Sequence, residues 1–252
     1  MPLFSPVTER DIVICRDVDG LSRKAAEQFV TLARDAIAAR GRFAVALSGG
    51  STPKALYSLL ATAEFSEQLD WRHIHLFFGD ERCVAPDHAE SNYHMVKEAL
   101  LAQIAIPSEN VHRMAAELAP EVAAAAYAAQ LSGFFDLPET KPPRFDLIFL
   151  GLGEDGHTAS LFPDSSGLTD TDRWVTATYV AKLKTHRLTL TFPAINNAAQ
   201  ISFLIAGQSK VAVVKAILTG QYSDAPAARI KPSHGKLTWF ITEDAAGDLR
   251  KH

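Results

Sequence analysis

Short apolar runs and longer segments with helical spacing alternate along most of the chain. Residues 21–40 carry apolar side chains at helical spacing, and Gly41 is a typical helix-ending residue. Residue patterns of this kind predict strands at 43–48, 73–78, 146–151, 174–180, 187–192, 201–207 and 236–242. They predict helices at 21–40, 52–61, 90–104, 117–135 and 208–219. Thr52 is the expected N-cap of the second helix, with Pro53 at its first position.

The alternation of strands and helices predicts an α/β fold, with a mostly parallel sheet and helices on both of its faces. The segment 146–151 is almost wholly apolar, as expected for a strand that is covered on both sides. The proline-containing segments 138–144 and 223–235 are predicted to be loops inside one domain that covers residues 1–252. In such folds, ligands bind at the carboxyl ends of the strands, near the point where the strand order reverses. We therefore expect the chemistry in the segments that follow the strands.

Composition and charge narrow the class of protein further. Hydrophobic residues make up 47% and charged residues 21% of the chain, and the formal net charge is −4. This balance does not favour a nucleic-acid-binding or membrane-binding surface. Residues 1–11 lack the pattern of a secretory signal, and no apolar run approaches the ~18 residues of a membrane span. Because Cys15 and Cys83 have no metal-binding or redox spacing, we expect structural thiols in a soluble cytoplasmic protein.

The first polar strand end is the segment SGGST at residues 48–52. Adjacent glycines let the backbone approach a ligand, and the start of the following helix offers unpaired N–H groups and a positive dipole end. A phosphate group fits this description, although the segment lacks the G-x-x-x-x-G-K-[ST] pattern of a nucleotide-binding loop. The candidate binding residues are Ser48, Gly49, Gly50, Ser51 and Thr52. The alternative is a plain turn followed by a capped helix.

The second strand end places Asp80, Glu81 and Arg82 directly after the strand 73–78. One interpretation is a structural ion-pair cluster. The other is that Arg82 faces an anionic substrate or intermediate while Asp80 or Glu81 holds it in place. His73 and His75 share one face of the preceding strand, and histidines inside an apolar run are more often packed or edge residues than ligands.

The third strand end has three glycines with the spacing G-x-G-x-x-G over residues 151–156. A dinucleotide-binding turn must open a long helix that receives the pyrophosphate. Here Pro163 would end the helix within two turns, and the carboxylates of Glu154 and Asp155 would repel the pyrophosphate. The pattern therefore does not favour a nucleotide-binding site.

His157 is the most informative residue of this third segment. Histidine titrates near neutrality and can take a proton from water, and a carboxylate such as Asp155 can fix its tautomer. The alternative is that His157 caps a short helix. Because the chain has no G-x-S-x-G motif, we expect water rather than a side chain to be the nucleophile.

Taken together, these segments resemble the 6-phosphogluconolactonase family, within a superfamily that includes the glucosamine-6-phosphate isomerases. The resemblance covers residues 20–242. The matching stretches are LSGGSTP, GDERCVAPDHAESNYHM, FDLIFLGLGEDGHTASLFP, HRLTLTFPAINNAAQISFLIAGQSK and AARIKPSHGKLTWFIT. One motif alone is a weak signal, whereas five in this order are specific.

The resemblance implies hydrolysis of 6-phospho-D-glucono-1,5-lactone to 6-phosphogluconate, the second step of the oxidative pentose phosphate pathway. It implies a Rossmann-like fold shared with glucosamine-6-phosphate deaminases and ribose-5-phosphate isomerases. By position, it makes His157 the general base, with Asp155 and Arg82 beside it in catalysis, and residues 48–52 and Asp80 part of the substrate pocket. We expect no metal or cofactor, because a lactone is already a good electrophile, and a monomer or small homo-oligomer without a nucleic-acid or membrane partner.

Three cationic side chains are candidates for binding the phosphate or the oxyanion. Lys210 follows a strand and begins a helix, which is a good position for binding phosphate. Arg187 starts a strand after the segment 181–185 and could reach the same site, whereas Arg82 could instead contact the lactone end. A solvated lysine and a surface ion pair are the corresponding structural alternatives for Lys210 and Arg187.

Two other functions compete with the lactonase. A glucosamine-6-phosphate deaminase would follow the D-G-H turn with an N-E-P segment, but residues 160–163 read SLFP and carry no carboxylate. A non-catalytic sugar-phosphate sensor would be expected to lose the base and to carry a DNA-binding module. This chain keeps His157 and has too few residues before Phe43 for such a module.

Overall fold

The computed structural model describes residues 10–138 and 141–251. Its strands are β1 (Arg10–Cys15), β2 (Phe43–Leu47), β3 (Ile74–Phe78), β4 (Asp80–Arg82), β5 (Leu147–Leu150), β6 (Val175–Val180), β7 (Thr185–Leu190), β8 (Gln200–Ile205) and β9 (Lys236–Thr242). Its helices are α1 (Val18–Arg40), α2 (Ser51–Leu60), α3 (Ala63–Ser66), α4 (Asn92–Ala99), α5 (Pro120–Phe135), α6 (Phe192–Asn196), α7 (Val211–Leu218) and α8 (Glu243–Ala246). The predictions for residues 1–9 and for part of the loop 138–144 lie outside the described residues.

Six strands form a parallel sheet in the order β1-β9-β8-β5-β2-β3. Every residue of β2, β5 and β8 is buried, which agrees with their nearly continuous apolar sequences. The α/β class with a mostly parallel sheet is confirmed. From β2 the chain continues to β3 on one side, and it later returns to β5 on the other, so the strand order reverses between β2 and β5. This is the position where a ligand site is expected.

A second sheet consists of three antiparallel strands in the order β4-β7-β6. The strands predicted at 174–180 and 187–192 exist, but they belong to this sheet. Only the short turn Ala181–Leu183 and Lys184 separate β6 from β7, and so short a connection can join antiparallel strands only. β4 leaves the main sheet at Gly79, whose N–H donates to the Leu47 carbonyl and whose carbonyl accepts from Leu190.

Several element boundaries differ from the sequence prediction. The helix predicted at 90–104 is α4 followed by a separate 3₁₀ turn at Leu101–Gln103, because Leu100 departs from helical geometry with φ −132°. Strand β1 was not predicted. Its sequence RDIVIC does contain an apolar run at residues 12–15, and the strand lies at the edge of the sheet, where Ile12 and Ile14 stay exposed. One hydrophobic cluster includes residues of both sheets, while the extent of the domain over residues 1–252 stays a prediction.

Candidate active site

A cavity of about 290 Å³ opens at the carboxyl ends of the central strands, where the strand order reverses. Of the residues predicted from the sequence, it is lined by residues 48–52, Asp80, Arg82, His157 and Lys210. Asp155 and Arg187 are not on its wall. Asp155 lies behind His157, and Arg187 pairs with Arg82 across β4 and β7. The fold therefore brings together four segments that are far apart in the sequence.

The loop 48–52 is held rigidly at the end of β2. The buried hydroxyl of Tyr57 donates to the Ser48 carbonyl and accepts from the Ser48 N–H, each at 3.0 Å. Burial raises the pKa of Tyr57 well above its usual value, so the phenol stays protonated. The Ser48 hydroxyl is itself buried on the cavity wall and has no hydrogen-bond partner within the described part of the chain. Its hydrogen-bonding capacity is therefore unused in the described structure.

Helix α2 begins one residue earlier than predicted, at Ser51, with Gly50 rather than Thr52 as its N-cap. Gly50 has φ 108°, a conformation that favours glycine. The first-turn N–H groups of a helix have no partner inside the helix, and here they lie at the cavity. The start of α2 therefore has the polarity that an anion requires.

Asn92 connects the loop to Asp80. A Cβ atom on Gly49 would lie 1.9 Å from Oδ1 of Asn92, so only glycine fits there. The Asn92 amide donates to the carbonyl of Asp80 at 2.9 Å and to its Oδ1 at 3.2 Å, and Ser160 donates to Oδ2 at 2.7 Å. Sequence reasoning missed Asn92 and Ser160. Neither follows a strand, and the only signal for Asn92 was its place next to the helix-capping Ser91.

Glu81 is adjacent to Asp80 in the sequence, but its side chain has a structural role away from the cavity. Its buried carboxylate accepts from the N–H groups of Asn92 and Tyr93 at 2.7 and 2.8 Å, and from the Ser91 hydroxyl at 3.0 Å. Burial raises the pKa of Glu81, although these donors oppose the shift. The carboxylate therefore stabilises the start of α4 and does not face the cavity.

The expectation that Asp80 or Glu81 holds the Arg82 side chain is wrong. Among the described residues neither carboxylate bonds the guanidinium, and Nη1 of Arg82 donates instead to the Glu90 carbonyl. Arg82 and Arg187 are directly opposite in the register of β4 and β7, and each has a buried Nε without a partner in the described structure. Burial, and then the charge of Arg82, lower the pKa of Arg187. Two like charges held side by side produce a positive potential next to the cavity.

The turn that carries His157 is built on glycine. The Gly153 N–H donates to the His157 carbonyl at 2.9 Å, and the Gly156 N–H donates to the Gly153 carbonyl at 3.0 Å. Gly156 has φ 80°, and a Cβ atom there would lie 2.8 Å from Cβ of Ala225. No helix follows, so the alternative that His157 caps a short helix is wrong. The glycine spacing serves a tight turn and not a pyrophosphate.

The imidazole of His157 is oriented by a carboxylate and by an aromatic ring. Its Nδ1 lies 2.5 Å from Oδ1 of Asp155, and the ring stacks on Phe162 with a centroid distance of 4.1 Å. Burial opposes ionisation of Asp155, but hydrogen bonds from His157 and Lys182 outweigh it and lower its pKa below the usual value. With Nδ1 engaged, Nε2 is the ring nitrogen left for a proton in the cavity.

Within the residues described, no group of three or more His, Cys, Asp and Glu side chains is arranged to hold a metal ion. The helices among these residues include none that is long and apolar enough to cross a membrane.

Comparison with known proteins identifies the family. Residues 16–239 match the family model described as glucosamine-6-phosphate isomerases/6-phosphogluconolactonase. A 6-phosphogluconolactonase of Synechocystis is 42% identical over 95% of this chain and 98% of its own length. A 6-phosphogluconolactonase of Nostoc is 36% identical over 96% of this chain and 99% of its own length. The crystal structure of a 6-phosphogluconolactonase from Thermotoga maritima has a TM-score of 0.80 and 31% identity, and covers 93% of this chain and 100% of the other. A monomeric glucosamine-6-phosphate deaminase, at 22% identity and a TM-score of 0.77, shares the fold. The chain therefore belongs to the glucosamine-6-phosphate isomerase/6-phosphogluconolactonase family.

Proposed function

We propose that this chain is a 6-phosphogluconolactonase, which hydrolyses 6-phospho-D-glucono-1,5-lactone to 6-phospho-D-gluconate in the oxidative pentose phosphate pathway. The observation that carries the proposal is the His157 imidazole on the cavity wall, with its Nδ1 bonded to Asp155. Lactonases of this family that are 34–42% identical over nearly the whole chain support the same activity.

In the proposed reaction, His157 is the general base. Asp155 keeps the proton on Nδ1, so the lone pair of Nε2 can take a proton from a water molecule. The water oxygen attacks the lactone carbonyl, the carbonyl oxygen gains negative charge, and the ring C–O bond breaks as the intermediate collapses. The proton held by His157 then passes to the leaving oxygen. General base catalysis of this kind typically contributes about 10²–10⁴-fold.

The phosphate is assigned to the start of α2 and to Lys210. Residues 48–52 offer backbone N–H groups and hydroxyls, and Lys210 lines the same cavity. Arg82 is the second cation on the wall, and it either supports the phosphate or stabilises the oxyanion. A rise in KM alone for Arg82→Ala would assign it to the phosphate, whereas a fall in kcat would assign it to the oxyanion. Arg187 acts behind Arg82, through its charge.

The proposed mechanism uses water, an imidazole and hydrogen-bond donors, and it has no step for a metal or cofactor. A cytoplasmic location and a monomeric or small homo-oligomeric state stay predictions, as does the lack of a nucleic-acid or membrane partner.

The deaminase alternative is less favoured by the site. Ser160 opens the segment SLFP, and its hydroxyl donates to Asp80, so this segment contributes no carboxylate to a proton relay. The sensor alternative is less favoured because His157 lies on the cavity wall and its carboxylate partner Asp155 lies behind it.

The decisive experiment measures decay of freshly prepared 6-phosphogluconolactone, with the spontaneous rate subtracted, beside ammonia release from glucosamine 6-phosphate. We expect accelerated lactone decay, no ammonia, and loss of the acceleration in His157→Ala. Lactone decay at the spontaneous rate would refute the proposed function, and ammonia release would favour the deaminase. Binding of the sugar phosphate without turnover of either compound would favour the sensor.

A further inference from the structure

The hairpin between β6 and β7 brings a lysine to the carboxylate behind His157. The hairpin turn consists of a 3₁₀ turn at Ala181–Leu183 and Lys184 in the left-handed conformation. Nζ of Lys182 lies 3.4 Å from Oδ2 of Asp155. The Lys182 side chain is 73% exposed and does not line the cavity, so it is not positioned to bind the substrate there.

The two carboxylate oxygens of Asp155 have different partners. Oδ1 accepts from the backbone N–H of His157 at 3.3 Å and contacts Nδ1 of the same residue at 2.5 Å. Oδ2 has Lys182 as its partner, in a side chain that is 29% exposed. The Asp155 backbone is fixed separately, because the Tyr222 hydroxyl donates to its carbonyl at 3.2 Å. Lys182 is therefore the group placed to oppose rotation of the carboxylate away from the imidazole.

We infer that Lys182 is a positioning residue of the proposed lactonase reaction: its ammonium group holds Oδ2 of Asp155 so that Oδ1 stays on Nδ1 of His157. This inference rests on the proposed function for its kinetic consequences.

The other charged and titratable groups near the imidazole differ in position. They are Glu154 and Asp155 on its own turn, Tyr222 behind the turn, and Asp80, Arg82 and Lys210 on the cavity wall. The cations on the wall are in the cavity that the substrate would fill. Lys182 contacts the carboxylate from outside this cavity, so its effect is expected both with and without substrate.

The kinetic test compares Lys182→Met with Lys182→Arg and with Lys184→Met, a matched loss of charge on the same turn. We expect Lys182→Met to lower kcat about 3–10-fold with little change in KM. Lys182→Arg should restore most of kcat, and Lys184→Met should resemble the wild type.

A double-mutant cycle tests whether Lys182 acts through Asp155. In an Asp155→Asn background, Lys182→Met should cause no further loss of kcat, because the carboxylate it holds is already gone. An equal loss in both backgrounds would overturn the inference, and so would a Lys182→Met enzyme with wild-type kcat.

An arm that does not depend on activity separates this inference from the proposed function. The hydrogen-bonded Nδ1–H proton of the His157 imidazole is followed by NMR in the wild type, in Lys182→Met and in Lys184→Met. We expect its resonance to shift or broaden in Lys182→Met alone, because the Asp155 carboxylate is no longer held, and an unchanged resonance would overturn the inference. A wild type without lactonase activity would refute the proposed function, even if this shift were observed.

Discussion

Two groups of histidines in this protein carry the same imidazole side chain but differ in the groups that surround it. His157 lies at the cavity with a carboxylate on Nδ1. His75 lies in β3 and His112 lies beside it, with Nδ1 of His75 3.3 Å from Nε2 of His112. The other nitrogen of His112 is 3.2 Å from the Gln130 amide, and its ring stacks on Phe77 at 4.2 Å. The second group is surrounded by aromatic rings and amides.

The difference shows what makes a histidine a candidate base. Burial, and then the neighbouring His75, lower the pKa of His112 to about 4, so it stays neutral near pH 7 but has no open space for a reactant. Burial lowers the pKa of His75 as well, with contributions from Arg42 and His73. A base needs a carboxylate partner and an adjacent cavity, and in this protein His157 has both. His75 packs against aromatic rings as expected, but His73 lies in the 3₁₀ turn Trp71–His73 and is exposed, so the expectation that the two histidines share one face of a strand is wrong.

The largest expected effect separates the two groups by activity. His157→Ala should lower kcat at least about 100-fold while the fold is kept, because it removes the proposed base. His112→Phe should leave kcat unchanged, since Phe preserves the stacking on Phe77. Initial rates of lactone decay above the spontaneous rate, with circular dichroism as the control for folding, measure both. Near-normal turnover in His157→Ala would remove that residue from the base role.

The carboxylate partner can be tested without changing the shape of the site. Asp155→Asn keeps the side-chain size but loses the charge that stabilises the protonated imidazole and its tautomer. We expect kcat to fall about 10–50-fold, with a smaller change in KM. Asp172→Asn, in an exposed side chain elsewhere, serves as the matched control. Equal kcat values for Asp155→Asn and the control would mean that the contact has no role in the reaction.

Substitutions in the same cavity should distinguish substrate binding from proton transfer. Lys210→Ala removes a cation from the wall while His157 and Asp155 stay in place. We expect KM to rise about 10-fold with kcat within a factor of about three, because the phosphate keeps its charge throughout the reaction. Saturation kinetics measure both constants. An unchanged KM would move the phosphate anchor to Arg82 or to the start of α2.

The prediction with the smallest expected effect on activity concerns stability in acid. Because the pKa of His112 is about 4 in the folded protein and the ordinary histidine value is 6.5, the unfolded chain binds more protons between these values. The free energy of unfolding should therefore fall as the pH falls from 6.5 towards 4, by roughly 2–3 kcal/mol from this residue.

His112→Phe should remove this part of the pH dependence, and His234→Gln, in an exposed histidine, should keep it. Urea unfolding at several pH values provides the measurement. The same slope in the wild type and in His112→Phe would assign the acid sensitivity to other groups.

Much of the site was predictable because its segments directly follow strands that the sequence pattern predicts. Residues 48–52, Asp80 to Arg82 and the turn 151–157 each follow a strand whose apolar run is visible in the sequence. Parallel strands present their carboxyl ends at the same edge, so these segments had to meet. The turn at Gly156 was readable for a similar reason, since a glycine between two polar residues after a strand is typical of a tight turn.

The sequence by itself thus determined the α/β class, the strands of the main sheet after β1, and the segments that surround the cavity. The tertiary structure decided which side chains of these segments face one another. Asp80 and Glu81 are adjacent, yet one meets Ser160, 80 positions away, and the other caps α4. The separate sheet of β4, β7 and β6, and the contact of Lys182 with Asp155, arise in the same way. The physical reason is that hydrophobic periodicity specifies elements and their faces, whereas hydrogen bonds between distant residues depend on how those elements pack.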